Sequence, residues 1–258
     1  MSTASRSTAR RAPADAAVRR VEHVMGMPVS LQLPDLPTAG ALAEEAFGWL
    51  RHVDAVFSTY REDSEVSRLN RGEIRSPGPE VAAVLDRCAD LWRQTDGYFD
   101  VYATGRLDPS GYVKGWAVQV ASDRLVAGGA ADHFLNAGGD LCARGRAAPG
   151  AGWRVGVQHP FEPDGVAWVL EVTDRAVATS GRYARGNHII DPRTGRPATA
   201  LASVTVLGPE LGTADAYATA AFAMGEAGLG WLARLDGHPS AVITTDGRAY
   251  RSDDLPVA

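Results

Sequence analysis

The chain has 258 residues, 45% hydrophobic and 22% charged, with 26 Lys and Arg against 31 Asp and Glu for a formal net charge of −5. That is enough for one large domain or two small packed ones, and it carries no basic excess of the kind that binds nucleic acid non-specifically. The two cysteines, Cys88 and Cys142, frame neither a zinc site nor a disulfide scaffold, and no apolar run reaches the about 18 residues needed to cross a bilayer.

The first twenty residues, MSTASRSTARRAPADAAVRR, are rich in Ser, Thr, Ala and Arg, with Asp15 the only acid and no apolar stretch for a signal peptidase. Transit peptides share that composition. With no apolar face of useful length, residues 1–20 read as a disordered basic tail, and the protein is expected to be soluble and cytoplasmic, without membrane insertion. Residues 21–258 read as the folded domain.

Val21 to Leu33 is expected to be one strand interrupted by Gly26 and Pro28, where something approaches the backbone closely. Thr38 stands as the N-cap of a long helix whose apolar positions Leu42, Ala46, Trp49, Leu50, Val53 and Phe57 recur with helical period. FSTYREDSEVSRLN (57–70) follows as a polar loop, with Ser64 capping a short helix. A second amphipathic helix covers about Pro79 to Thr95 and ends at the Asp96-Gly97 turn. Cys88 falls on its apolar stripe and Cys142 within a strand, so both read as buried small hydrophobes. A third helix is expected from about Tyr112 to Val126.

Beyond it, HFLNAGGDLCARG, WRVGVQ, VAWVLEV and AVATSG read as consecutive strands joined by short turns. SVTVLG (203–208) is another strand, a helix follows from Thr213, and AVITTD with RAYRS closes a hairpin at Asp246-Gly247. Helices cluster early and strands in the middle without a βαβ rhythm, which predicts an α+β fold.

Asp215 and Thr219 stand four apart in GTADAYATAAFAMG (212–225), so on a helix they share one face. A carboxylate and a hydroxyl suit a hard cation such as Mg²⁺, though a cap and a solvated face share that pattern. Gly228-Leu-Gly230-Trp-Leu-Ala233 superficially matches a dinucleotide fingerprint, but it follows a helix and starts no βαβ unit. His188 and Asp191 could ligate a metal, yet DPRTG is first a turn, and a structural hydrogen bond explains His188 equally well. The glycines of LNAGGD (135–140) and ATSG (178–181) expose backbone N–H groups or simply serve tight turns. Lys114 is either solvated or at the anion-attracting end of a helix, and Asp108 is a ligand contact or a turn residue.

Taken in order, STYREDSEVSRLN, TDGYFD, the D-x-x-x-x-x-KG segment at 108–115, NAGGD, WRVGVQHP, ATSGRYARG-x-HIIDPRTGRP and SVTV followed by ADAYATAAFAMG resemble the ApbE family, the FAD:protein FMN transferases. The resemblance covers roughly residues 21 to 245. It implies an ApbE-like, T-fold-like single domain of two lobes, with mixed or antiparallel sheets and flanking helices. It also implies Mg²⁺ held by Asp215, Thr219 and the backbone carbonyl of Gly111, and FAD, as substrate, held by Met25, Tyr60, Tyr98, Phe99, Asp100, Asp108, Lys114, His188 and Ile189. The chain departs from the family at Met27, Tyr98, Pro109 and Tyr112. Tyr98 is larger than the small residue often found at its position.

The implied reaction moves FMN from FAD onto a Thr or Ser hydroxyl of an acceptor protein and releases AMP, with Asp215 catalytic through the metal. His188 is the nearby group with an ordinary pKa suited to a general base. The acceptor is expected to carry a D-x-x-[S/T]-G-A-T motif and to be cytoplasmic. The nearest segment here, ATSGRYA, lacks its leading acid and its Ala-Thr ending, so self-flavinylation is not expected. Two alternatives remain on sequence: a pyrophosphatase splitting FAD into FMN and AMP, and a flavin-binding protein without catalysis.

Overall fold

The computed structural model describes residues 18–182, 186 and 188–258. The segment expected to be one interrupted strand is a hairpin of β1 (Val18–Val24) and β2 (Met27–Leu33). Val24 pairs with Met27, leaving Met25 and Gly26 as a two-residue loop with φ of +56° and +74°. Positive φ at both central residues matches the twist of the flanking strands, and only Gly adopts it without steric cost. Pro28 sits within β2, where its carbonyl accepts the Gly138 N–H at 3.3 Å. β1 also takes in Val18, Arg19 and Arg20 from the expected tail, whose first 17 residues lie outside the described ones.

Four helices follow: α1 (Ala39–Phe57), α2 (Glu65–Asn70), α3 (Pro79–Gln94) and α4 (Ser110–Ala127). Ser64 caps α2, its side chain accepting the Ser67 N–H at 3.1 Å. Thr38 occupies the cap position of α1 but makes no cap hydrogen bond, because its backbone is already helical at φ −93° and ψ −3°. Pro109 opens α4 two residues ahead of the expected start.

Strands β3 (His133–Ala137), β4 (Asp140–Arg144), β5 (Trp153–Gln158), β6 (Val166–Val172) and β7 (Arg175–Gly181) come next. They are followed by β8 (Ile190–Asp191), β9 (Arg196–Pro197), β10 (Leu201–Gly208), α5 (Leu211–Met224), α6 (Ala227–Leu232), β11 (Ser240–Thr244) and β12 (Ala249–Arg251). Eight strands form one sheet in the order β1-β2-β3-β4-β7-β10-β11-β12, every described pairing being antiparallel, while β5–β6 and β8–β9 are separate ribbons.

Strand periodicity of two divides the central sheet between two cores. Cys142, Ala176, Ala178, Val204, Val206 and Val242 face the large core made with the helices. Their neighbours Leu141, Ala143, Val177, Leu207 and Ala241 face a smaller core under the β5–β6 ribbon. Among the described residues no helix is long and apolar enough to cross a membrane.

Candidate active site

α5 is buried along nearly its whole length, sandwiched between the sheet and α4, and its alanines let both neighbours approach. Two glycines set the crossing with α4. A Cβ on Gly115 would lie 2.7 Å from the Leu211 carbonyl oxygen and 2.8 Å from the Gly212 Cα, and one on Gly212 would lie 2.7 Å from the Tyr112 ring. Backbone therefore meets backbone one residue past Lys114 and three before Asp215. Gln119, buried on α4, reinforces the crossing by accepting the Leu211 N–H at 3.0 Å, one of the helix-start donors that α5 cannot satisfy itself.

This crossing gathers charge on the helix side of the sheet. Asp215 is only 3% exposed, and its Oδ2 lies 3.5 Å from the Lys114 ammonium. On the opposite side Lys114 is ion-paired with Asp140, which is 1% exposed at the start of β4. Asp140 is itself fixed by the Thr179 N–H of β7 at 2.8 Å. Thr219, one turn after Asp215, brings its hydroxyl within 3.3 Å of the Ser180 hydroxyl. A Cβ on Gly111 would lie 4.0 Å from the Thr219 hydroxyl, so the first turn of α4 faces the same spot.

Two buried carboxylates flank the Lys114 ammonium here, a concentration of acidic oxygen that suits a cation. Asp215 and Thr219 offer oxygen donors only, which would fit Mg²⁺, an ion that usually keeps several waters and few protein ligands. Among the described residues no three His, Cys, Asp or Glu side chains form a group that could hold a metal ion.

Above this floor opens a cavity of about 730 Å³. The twelve residues that the resemblance implies line it: Met25, Tyr60, Tyr98, Phe99, Asp100, Asp108, Gly111, Lys114, His188, Ile189, Asp215 and Thr219, while Asp191 does not. Met25 reaches it from the strained β1–β2 loop. Gly138, in the β3–β4 turn at φ +60°, leaves room beside Met27, whose sulfur a Cβ would approach to 3.0 Å. Phe99 packs on Gly111, while Tyr60 stands 88% exposed at the rim. Asp100 and Asp108 also shape their own turns, accepting the Tyr102 N–H at 2.8 Å and the Ser110 N–H at 3.1 Å.

His188 is exposed, with Nδ1 3.1 Å from the Gly186 carbonyl. Asp191 is committed to its turn: its carboxylate accepts the Arg193 N–H at 2.9 Å and the Thr194 hydroxyl at 3.0 Å. Burial pushes the thiols of Cys88 and Cys142 up to about 12, so both are inert at neutral pH. The GLGWLA segment falls on α6, packed so tightly on α5 that a Cβ on Gly228 would lie 2.3 Å from the Ala221 carbonyl oxygen.

The sequence profile of the ApbE family matches residues 25–105 and 101–243. The chain belongs to the ApbE family. The FAD:protein FMN transferase of Vibrio cholerae is 29% identical over 257 residues, spanning 76% of this chain and 77% of that protein. That of Rhodobacter capsulatus is 31% identical over 228 residues, spanning 85% of this chain and 40% of that longer protein. Among solved structures, the flavin transferase ApbE from Vibrio cholerae superposes with a TM-score of 0.82 at 26% identity, covering 92% of this chain and 97% of that one. The ApbE protein of Thermotoga maritima shares the fold, with a TM-score of 0.83 at 23% identity over 92% of this chain and 97% of that one.

Seen in this ApbE chain, three residues escaped the sequence reading. Asp140 had a usable signal, a lone acid between a Gly-Gly turn and the otherwise buried Leu141-Cys142-Ala143. Ser180 and Arg193 had none, since each acts on a partner distant in sequence, Thr219 and Tyr98 respectively.

Proposed function

We propose that this chain transfers FMN from FAD to a Ser or Thr hydroxyl of an acceptor protein. The carrying observation is the pairing of a charged floor, Lys114 between Asp140 and Asp215, with an aromatic rim of Tyr60, Tyr98 and Phe99 around one cavity. A dinucleotide of a flavin needs both, a polar seat for its diphosphate and flat apolar surface for its rings. The names of the relatives support the same activity.

In this reading Asp215, Thr219 and the Gly111 carbonyl hold Mg²⁺, which when bound supplies Lewis-acid neutralisation of diphosphate charge. Lys114, in the second turn of α4, draws the diphosphate toward the floor of the cavity by its charge. The aromatic rim orients the flavin. His188 takes the proton of the acceptor hydroxyl as that oxygen bonds to the phosphorus on the riboflavin side. The bond from this phosphorus to AMP breaks, AMP leaves as a phosphate monoester, and FMN remains phosphoester-linked to the acceptor. Positioning and electrostatics supply most of the acceleration in such a step.

The test combines the chain with FAD, Mg²⁺ and a small acceptor domain bearing a D-x-x-[S/T]-G-A-T motif, and weighs the acceptor by mass spectrometry. One added FMN unit is expected, with the rate falling about 10³-fold in Asp215→Ala while FAD affinity changes far less. AMP released with no labelled acceptor identifies a pyrophosphatase instead. FAD binding that ignores chelator and yields no AMP identifies a non-catalytic flavin protein. Near-normal transfer by His188→Ala removes His188 from the base role.

A further inference from the structure

The β8–β9 hairpin carries Ile189 and His188 to the cavity, yet neither of its strands pairs with the main sheet. Its turn is held by local bonds, from the Gly195 N–H to the Asp191 carbonyl at 2.8 Å and from the Ala198 N–H to the Ile189 carbonyl at 2.9 Å. Ile189 and Ala198 are buried in the large core and β8 touches α5, and beyond this packing two contacts of one side chain reach outward. The Arg193 guanidinium sits over the Tyr98 ring, 4.3 Å from its centroid, and donates to the Asp96 carbonyl at 3.3 Å.

The receiving side is firm. Thr95 is fully buried; its hydroxyl donates to the Leu91 carbonyl at 2.8 Å and accepts the Phe99 N–H at 3.0 Å. The Gly97 N–H returns to the Trp92 carbonyl at 2.8 Å, and Asp96 and Gly97 hold φ of +52° and +81°. This turn fixes both the carbonyl and the ring that Arg193 meets. Arg alone among side chains stacks on an aromatic face while its planar fork donates sideways.

We infer that Arg193 and Tyr98 form a latch that fastens the β8–β9 hairpin to the end of α3, making Arg193 a positioning residue that sets where Ile189 and His188 stand against the flavin substrate. The inference rests on the FAD reading of the cavity. It gives Tyr98 two tasks in this chain: its ring meets the guanidinium and also lines the cavity.

The experiment measures FAD affinity by flavin fluorescence quenching and hydrogen exchange at the Gly195 and Ala198 amides, in the full chain. Tyr98→Phe keeps the ring face that Arg193 covers and is expected to match the parent in hydrogen exchange of the hairpin. Tyr98→Leu keeps bulk without the π face and is expected to weaken FAD binding about three- to tenfold and speed exchange in the hairpin. Arg193→Gln is expected to do the same, and the double variant no more than either single one, with unchanged thermal midpoints throughout. Parent-like behaviour of Tyr98→Leu, or additive effects in the double variant, overturns the latch. If the parent itself binds no FAD, the FAD reading fails, while hydrogen exchange still decides whether the latch exists.

Discussion

The floor and the rim of the cavity are built by opposite means. On the floor, α4 and α5 meet through backbone contacts at Gly115 and Gly212, and the carboxylates Asp140 and Asp215, exposed by a few per cent, flank the partly buried Lys114. On the rim, Tyr60 is 88% exposed, and the 188–197 segment is shaped by bonds within its own turn. Buried charges hold their geometry because moving one strands its partner, at about 3–5 kcal/mol. An exposed Tyr60 and short turns can adapt to a ligand at little cost to the fold. Phosphoryl chemistry needs the first property, and recognition of a flavin and an acceptor needs the second.

The sharpest way to break this contrast is Gly115→Ala. In an ordinary helix interior that change gains about 1 kcal/mol. Here the added carbon meets the Leu211 and Gly212 backbone below 3.0 Å, and backbone cannot yield as a flexible side chain would. A net loss of about 1–3 kcal/mol is expected, lowering the thermal midpoint by about 2–4 °C per kcal/mol and taking transfer activity with it. A stabilised, active variant refutes the rigid floor.

Tyr60→Ala probes the rim, and the opposite signature is expected: an unchanged melting temperature, because the side chain buries almost nothing, with the KM for FAD raised about three- to tenfold. A melting shift as large as that of Gly115→Ala erases the distinction between the two regions.

The smallest effect concerns pH. His133 is fully buried behind the floor, with Nδ1 2.8 Å from the Ala130 carbonyl, which can only accept, and Nε2 2.8 Å from the Ser122 hydroxyl. Nδ1 therefore carries the proton and Nε2 accepts, and burial holds the folded pKa below the ordinary imidazole value. Above about pH 6.5 the ring is neutral in both states. As pH falls below that, only the unfolded chain gains the proton, so stability is lost until the folded pKa is passed. Urea midpoints across pH 4.5–8 should show this acid limb flattened in His133→Asn; an unaltered limb assigns it to carboxylates instead.

Much of the scaffold was legible locally. Ser64 announced α2 because an N-cap works through an N–H three residues on, and Asp246-Gly247 announced its hairpin through the φ that Gly247 supplies at +84°. Thr38 misled because residue type does not fix its ψ. Gly26 and Pro28 misled because a break in a strand and a two-residue hairpin look alike until the pairing of Val24 with Met27 is seen. The spacing of Asp215 and Thr219 was likewise readable, since a helix forces residues four apart onto one face.

By itself, then, the sequence determined what is settled within about one helical turn or one hairpin, together with the ordered blocks that carry ApbE membership. The tertiary structure alone decided that Lys114 stands between Asp140 and Asp215, that Ser180 meets Thr219, and that Arg193 covers Tyr98. Those partners lie from tens of residues to just over a hundred apart. Coulombic and π contacts act over a few ångströms of space, so they exist only once the glycine crossing of α4 and α5 and the antiparallel sheet have brought distant stretches of chain together.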